Sequence, residues 1–223
     1  MSLESRRSTA LQDPGAEMVD RMTGLWDRYG RTVLVALAGI VVIVAVTLLT
    51  IRHNKEQNNL ASKGVAEASY LFRRGDLEHA KSTAAEVVKN YGSTPSGNDA
   101  HRITGDVAFW SGSFKDAVTE YKAYLSKNGS GFAADCVRRS LAYALDNDKQ
   151  TAEAAKTYDQ ISNAFDRETN AEMLYAAARC FLATGDKASA TTRLQKISQE
   201  LGETSYAMKA RVKLAEISPP ASN

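Results

Sequence analysis

The sequence predicts an all-α fold: one N-terminal transmembrane helix followed by an α-solenoid of about four helix pairs plus a capping helix. Three observations predict it. Twenty consecutive residues, Thr32 to Ile51, carry no charged side chain. Beyond them Ala, Glu, Lys and Leu recur at helical spacing, alternating apolar and polar runs are nearly absent, and Pro95 is the only proline between Thr94 and Pro219. A short motif then recurs four times at a nearly constant interval.

Bulk composition hides this division. The chain has 223 residues, 43% apolar and 24% charged, which on totals describes an ordinary soluble protein. A formal net charge of +2 is too small for a nucleic-acid binder or a polybasic membrane patch. From Arg52 onward there are 23 basic and 21 acidic residues, so the C-terminal part is near neutral too. A polytopic transporter, a disulfide-rich secreted module and a collagen-like chain are likewise excluded.

Residues 1–14, with Ser, Arg, Asp and Pro14, read as a disordered tail. Within 15–31, Met18, Val19, Met22, Leu25, Trp26 and Tyr29 recur at three- and four-residue steps, which predicts an amphipathic segment lying in a membrane interface. Trp26 and Tyr29 stand where an aromatic belt sits, and Arg28 and Arg31 reach headgroups. Residues 32–51 are the transmembrane helix. At about 1.5 Å per residue, twenty residues span roughly 30 Å, the thickness of a bilayer's hydrocarbon core. The run is too long for a cleaved signal peptide, and Arg52-His53-Asn54-Lys55 follows it instead of a small-residue cleavage site. No cysteine near it offers a lipoprotein site. Arg21, Arg28 and Arg31 on one side balance Arg52, Lys55 and Lys63 on the other, so charge leaves the orientation open.

Residues 52–217 carry the repeat. Gly75-Asp76-Leu77-Glu78-His79-Ala80, Gly112-Ser113-Phe114-Lys115-Asp116-Ala117 and Gly185-Asp186-Lys187-Ala188-Ser189-Ala190 are copies of one motif. Lys149-Gln150-Thr151-Ala152-Glu153-Ala154 is a weaker fourth. The copies start at 75, 112, 149 and 185, steps of 37, 37 and 36. Each is a turn followed by a helix with a small residue where two helices meet, and Gly suits a helix end that turns back sharply. Core-type residues follow at fixed offsets: Ala84, Tyr121, Tyr158 and Leu194, then Val87, Tyr124, Ile161 and Ile197. Upstream, Ala68, Gly105, Ala142 and Ala178 mark a preceding helix at the same distance from each turn. Ser205 to Ile217 is the capping helix, stopped by Ser218-Pro219-Pro220, and 218–223 form a disordered C-terminal tail.

This pattern resembles the tetratricopeptide repeat, with Gly105, Ala108, Gly112, Phe114, Ala117 and Tyr121 all in register in the second copy. The interval exceeds the usual 34, and longer loops such as Tyr91–Gly97 are expected to absorb the difference. Taken whole, the chain is similar to the family of single-span, tetratricopeptide-like membrane proteins that includes the ancillary subunit of the bacterial SecYEG translocon. Trp26-Asp27-Arg28-Tyr29-Gly30-Arg31 occupies that family's approach to the membrane. The resemblance implies a bacterial inner (cytoplasmic) membrane location, a cytoplasmic N-terminus and a periplasmic repeat domain. It also implies a partner-binding groove lined by first helices: Phe72 and Arg73; Arg102, Asp106, Phe109 and Trp110; Arg139 and Tyr143; Tyr175 and Arg179. Arg102, Arg139 and Arg179 are expected to be exposed, while Phe109 either lines the groove or packs between repeats.

Motifs for chemistry are missing. There is no HExxH, glycine-rich phosphate loop or GxSxG, and His53, His79 and His101 are dispersed. Asp146-Asn147-Asp148 lacks the later residues of a calcium loop and reads as a polar inter-helix turn. In the repeat register Cys136 and Cys180 fall about 12 Å apart along the helix axis, beyond the roughly 7 Å a disulfide allows, so both are expected as small buried residues. The expected protein is no enzyme and has no cofactor, metal, nucleic acid or small-molecule substrate. Its expected partners are the lipid bilayer and other proteins, a membrane complex or unfolded secreted polypeptides bound in chaperone fashion. The alternative is a structural or assembly subunit of another membrane complex, such as a respiratory or photosynthetic one.

Overall fold

The computed structural model describes residues 14–217. The tail 218–223 and all but the last residue of 1–14 lie outside the described residues, and Pro14 opens a helix instead of ending a tail. Proline is well placed there, because the first helical N–H has no partner to lose. Among the described residues every regular element is α-helical: α1 (Pro14–Arg73), α2 (Leu77–Tyr91), α3 (Pro95–Trp110), α4 (Phe114–Lys127), α5 (Phe132–Asn147), α6 (Thr151–Gln160), α7 (Arg167–Ala183), α8 (Lys187–Glu200) and α9 (Ser205–Ile217). The described residues form two compact parts, 14–55 and 56–217.

The first part is the N-terminal stretch of α1, which is long and apolar enough to cross a membrane. Helix runs uninterrupted through Gly30 and Arg31, where sequence patterning places the change from interface to span. The Trp26 indole lies on Gly30, 3.2 Å from where a β-carbon would stand, so glycine there lets the ring lie flat on the helix. The Arg28 guanidinium sits 5.6 Å from the centre of the Tyr29 ring. Within the apolar run, the hydroxyls of Thr47 and Thr50 donate to the carbonyls of Ile43 and Val46 at 2.8 and 2.9 Å. These two polar side chains are thereby satisfied inside the helix.

The second part is a stack of four helix pairs and a cap: the C-terminal stretch of α1 with α2, α3 with α4, α5 with α6, α7 with α8, then α9. One turn builds all four pairs. Gly75, Gly112 and Gly185 have φ of 80°, 76° and 85°, and Lys149, in the weak copy, has φ 63°. Each residue donates its N–H three residues back, to Phe72, Phe109, Asp146 and Leu182. The residue after it donates five residues back, to Leu71, Ala108, Leu145 and Phe181. This paired bonding closes the orphan carbonyls of a helix end and requires the left-handed conformation at the first residue. Lys149 is the one non-glycine residue at positive φ among those described. A β-carbon on the three glycines would meet nothing within 4 Å, so their whole advantage is conformational.

The small residues do what their spacing implies. Ala68, Gly105, Ala142 and Ala178 on first helices and Ala80, Ala117, Ala154 and Ala190 on second helices are all buried, as are the eight core-type residues that follow in register. At Gly105 a β-carbon would stand 2.7 Å from the Tyr121 ring, so glycine sets the distance between α3 and α4. Loops are shorter than the interval suggests. The expected Tyr91–Gly97 loop is reduced to residues 92–94, because Thr94 caps α3 by accepting from the Gly97 N–H and Pro95 takes the first helical position. The longer period therefore resides in long first helices: α3 and α5 have 16 residues and α7 has 17.

Holding a non-glycine residue left-handed costs roughly 1–2 kcal/mol, partly offset by the greater unfolded-state freedom of glycine. Lys149→Gly is expected to raise stability by about 1 kcal/mol, and Gly112→Ala to lower it by about as much, in urea unfolding followed by circular dichroism.

Candidate functional site

The inner face of the second part is built from first helices. Arg102, Arg139 and Tyr175 each stand ten residues before their turn, and Asp106, Tyr143 and Arg179 each stand six before it. A four-residue step keeps both positions on one face of each helix. Six of the ten residues expected in a groove come together between α3, α4 and α5. A cavity of about 280 Å³ is lined by Asp106, Phe109, Trp110, Tyr121, Ser140 and Tyr143. A second, of about 320 Å³, shares Asp106 and Ser140 and adds Arg102, Tyr124, Cys136, Val137 and Arg139.

Asp106 is the hinge of this arrangement. Its carboxylate accepts from the Tyr121 hydroxyl at 2.8 Å and from the Arg102 guanidinium at 3.1 Å. Burial pushes the Asp106 carboxyl above the usual carboxylate value, and its bonds to Tyr121 and Arg102 pull the other way. Burial, reinforced by Asp106, also raises the Tyr121 phenol, which stays neutral and donates. Tyr143 behaves likewise: it donates to Glu172 of α7 at 2.7 Å and meets Tyr158 edge-on at 5.7 Å. Phe109 is half-buried against the core and touches the Phe114 ring edge-on at 5.4 Å, whereas Trp110 is 72% exposed. Phe109 thus serves both packing and cavity wall, and Trp110 offers a free aromatic face at the rim.

The remaining four residues lie elsewhere. Phe72 packs against Ala68, Ala80 and Ile103 between helices, and Arg73 is exposed. Tyr175 and Arg179 line a separate cavity of about 250 Å³ with Leu182, Leu194 and Lys213, and Tyr175 contacts the Tyr206 ring at 5.6 Å. Of the three arginines expected to be exposed, Arg179 is exposed while Arg102 and Arg139 are half-buried, and each has a partner within the chain. Arg102 is held by Asp106, Arg139 lies over the Phe165 ring at 5.2 Å, and Arg179 is paired with Asp146. Asp146-Asn147-Asp148 is correspondingly no free turn, since Asp146 and Asn147 belong to α5 and Asp146 anchors α7.

Both cysteines are free thiols. Cys180 is buried, and burial beside Asp146 pushes its thiol up to about 11. Cys136 differs from its expected burial: it is half-buried because it faces the second cavity. Ser140, Tyr124, Cys136 and the Tyr121 hydroxyl were not legible as site residues. Their heptad-like spacing marks helix faces, but which face borders a cavity depends on how α5 settles against α3. Among the described residues no group of three or more His, Cys, Asp or Glu is arranged to hold a metal ion.

Residues 24–170 match the protein family described as tetratricopeptide repeat-like domain. Solved structures match in fold. A Podosopora anserina chain described as kinesin light chain, with nearly identical tetratricopeptide-like repeats, aligns over 72% of this chain and 85% of its own at 16% identity and a TM-score of 0.55. A tetratricopeptide repeat protein from Parabacteroides merdae aligns over 70% of this chain and 59% of its own at 15% identity and a TM-score of 0.59. No curated protein matches in sequence.

A carboxyl whose folded value is raised binds its proton more tightly in the folded state. Asp106 therefore costs stability as pH climbs from the ordinary 3.8 through its raised folded value. Asp106→Asn keeps an acceptor for Tyr121 and removes this contribution. In urea unfolding between about pH 3 and 7, the variant is expected to gain on the wild type as pH rises through that window.

Proposed function

The chain belongs to the tetratricopeptide repeat-like domain family, and from that premise we propose that it is a membrane-tethered protein-interaction module that captures partner polypeptides on the face between α3 and α5. Repeats of this kind generally mediate contacts between proteins, and the fold is typically a non-catalytic scaffold. One observation carries the choice of face: two adjoining cavities, rimmed by the exposed Trp110 and by Arg102 and Arg139, open along consecutive first helices. Aromatic and guanidinium groups of this kind anchor a chain through its apolar side chains and carboxylates. Because Arg102 and Arg139 already have internal partners, a bound chain exchanges one contact for another. That suits weak, repeated capture more than tight binding.

The N-terminal helix, with Trp26, Arg28, Tyr29 and Arg31 before the span, is the tether. Anchoring raises local concentration, so modest affinities suffice. The layout of approach, span and repeat domain is similar to the ancillary SecYEG subunit family. By that analogy the chain is a single-span inner-membrane protein with a periplasmic domain, acting on secreted polypeptides beside the translocon.

Two experiments test this reading. Trp110→Ala with Arg139→Glu is expected to reduce photo-crosslinking of the full-length protein to unfolded secreted polypeptides at least about ten-fold, the loss of roughly 1.4 kcal/mol. Loss of the Arg139–Phe165 contact should lower the melting temperature only slightly with helical circular dichroism kept, and undiminished crosslinking would remove this face from consideration. Glu86→Cys, at an exposed site, should react in intact cells with a maleimide that cannot pass the inner membrane. Labelling only after that membrane is permeabilised would place the domain in the cytoplasm and defeat the translocon analogy.

A further inference from the structure

The cavity beside Trp110 is an aromatic box with one charge in it. Phe109 and Trp110 of α3, Tyr121 of α4 and Tyr143 of α5 wall it, and Asp106 and Ser140 complete the lining. The Phe109 and Trp110 rings meet at 81° with centroids 6.4 Å apart, a corner instead of a stack. Burial keeps the Tyr121 and Tyr143 phenols neutral, so Asp106 is the only ionised residue of the six. A volume of about 280 Å³ falls below the roughly 300–1,000 Å³ of small-molecule sites and suits a single long side chain.

Asp106 has room for a further donor. A carboxylate accepts at about four positions. Oδ1 takes the Tyr121 hydroxyl and Oδ2 takes the Arg102 guanidinium. These two bonds do not offset the cost of burial, because the carboxyl stays above its ordinary value. Arg102 and Arg139 border the adjoining cavity, and neither lines this one. A second carboxylate, Glu172, stands behind the wall and accepts from the Tyr143 hydroxyl at 2.7 Å. Aromatic faces attract a cation, more strongly where water is displaced. An apolar side chain would satisfy the rings and leave Asp106 as it is, and a carboxylate would be repelled. We infer that this cavity takes a Lys or Arg side chain of the captured polypeptide, its charge on Asp106 and its stem against the rings. The inference rests on the proposed capture of polypeptides by the α3–α5 face and names what one pocket of that face selects.

The test uses the full-length protein in an uncharged maltoside detergent, which brings neither anionic lipid nor a choline headgroup. Short fluorescent peptides with blocked ends, apolar and uncharged elsewhere, carry at one central position either Arg or its neutral isostere citrulline. Fluorescence anisotropy measures their binding. The wild type is expected to bind the Arg peptide at least about ten-fold more tightly. Asp106→Asn should bring that ratio to about one. Trp110→Leu, at an exposed ring, should lower it about three-fold, and both variants should keep wild-type circular dichroism. Equal binding of the two peptides by the wild type leaves the face standing and overturns the inference. Binding of neither peptide overturns the inference and the face together. A ratio that either variant leaves at its wild-type value also overturns the inference, since the charge is then recognised outside this cavity.

Discussion

Every pair in the array hangs on one backbone requirement: the residue that ends a first helix must turn left-handed so that two successive N–H groups can reach back to the carbonyls of the last turn. That geometry reverses the chain within three residues and lays the second helix against the first. Close approach then forces small residues at the crossing, which is why Gly105 faces the Tyr121 ring and why alanines fill the other crossings. Lys149 shows that the geometry outranks the residue. The weak copy adopts the same conformation, held by the same two hydrogen bonds, in spite of its β-carbon.

Stacking of pairs rests on a second, polar layer over the apolar one. Arg193 of α8 forks onto Asp159 at 2.6 and 2.9 Å, Lys122 reaches Glu153 at 2.7 Å, and Tyr143 reaches Glu172 at 2.7 Å. Each contact joins neighbouring pairs. Such partly exposed contacts add little stability one at a time. Their value is angular, because a planar guanidinium or a phenol fixes how far one pair rotates on the next. That rotation decides whether first helices close up or leave space between them. Between α3 and α5 they leave the two cavities around Asp106 and Ser140.

One rule governs the inner face. First-helix side chains are either consumed by a neighbour, as Phe72 and Arg179 are, or left at an edge where nothing consumes them, as Trp110 is. Interaction surfaces in a solenoid are thus positions where the repeat stops being satisfied by itself.

The sequence alone determined the element types, the positions of the four turns, the small-residue crossings, the start of α9 and the membrane-length apolar run. Each is a local matter of spacing, glycine and hydropathy, written within one or two helical turns. Loop lengths were misread where Thr94 and Pro95 start α3 early, since a cap is a side-chain bond that composition does not reveal. Of the site, the register of the inner face was legible and the state of its side chains was not. Whether Arg139 lies on Phe165, whether Arg179 is taken by Asp146 and whether Cys136 borders a cavity with Asp106 and Arg102 all depend on residues about 26 to 34 positions away. Those contacts follow from the rotation between successive pairs, a sum of many packing and hydrogen-bond terms. Only the tertiary structure decides it.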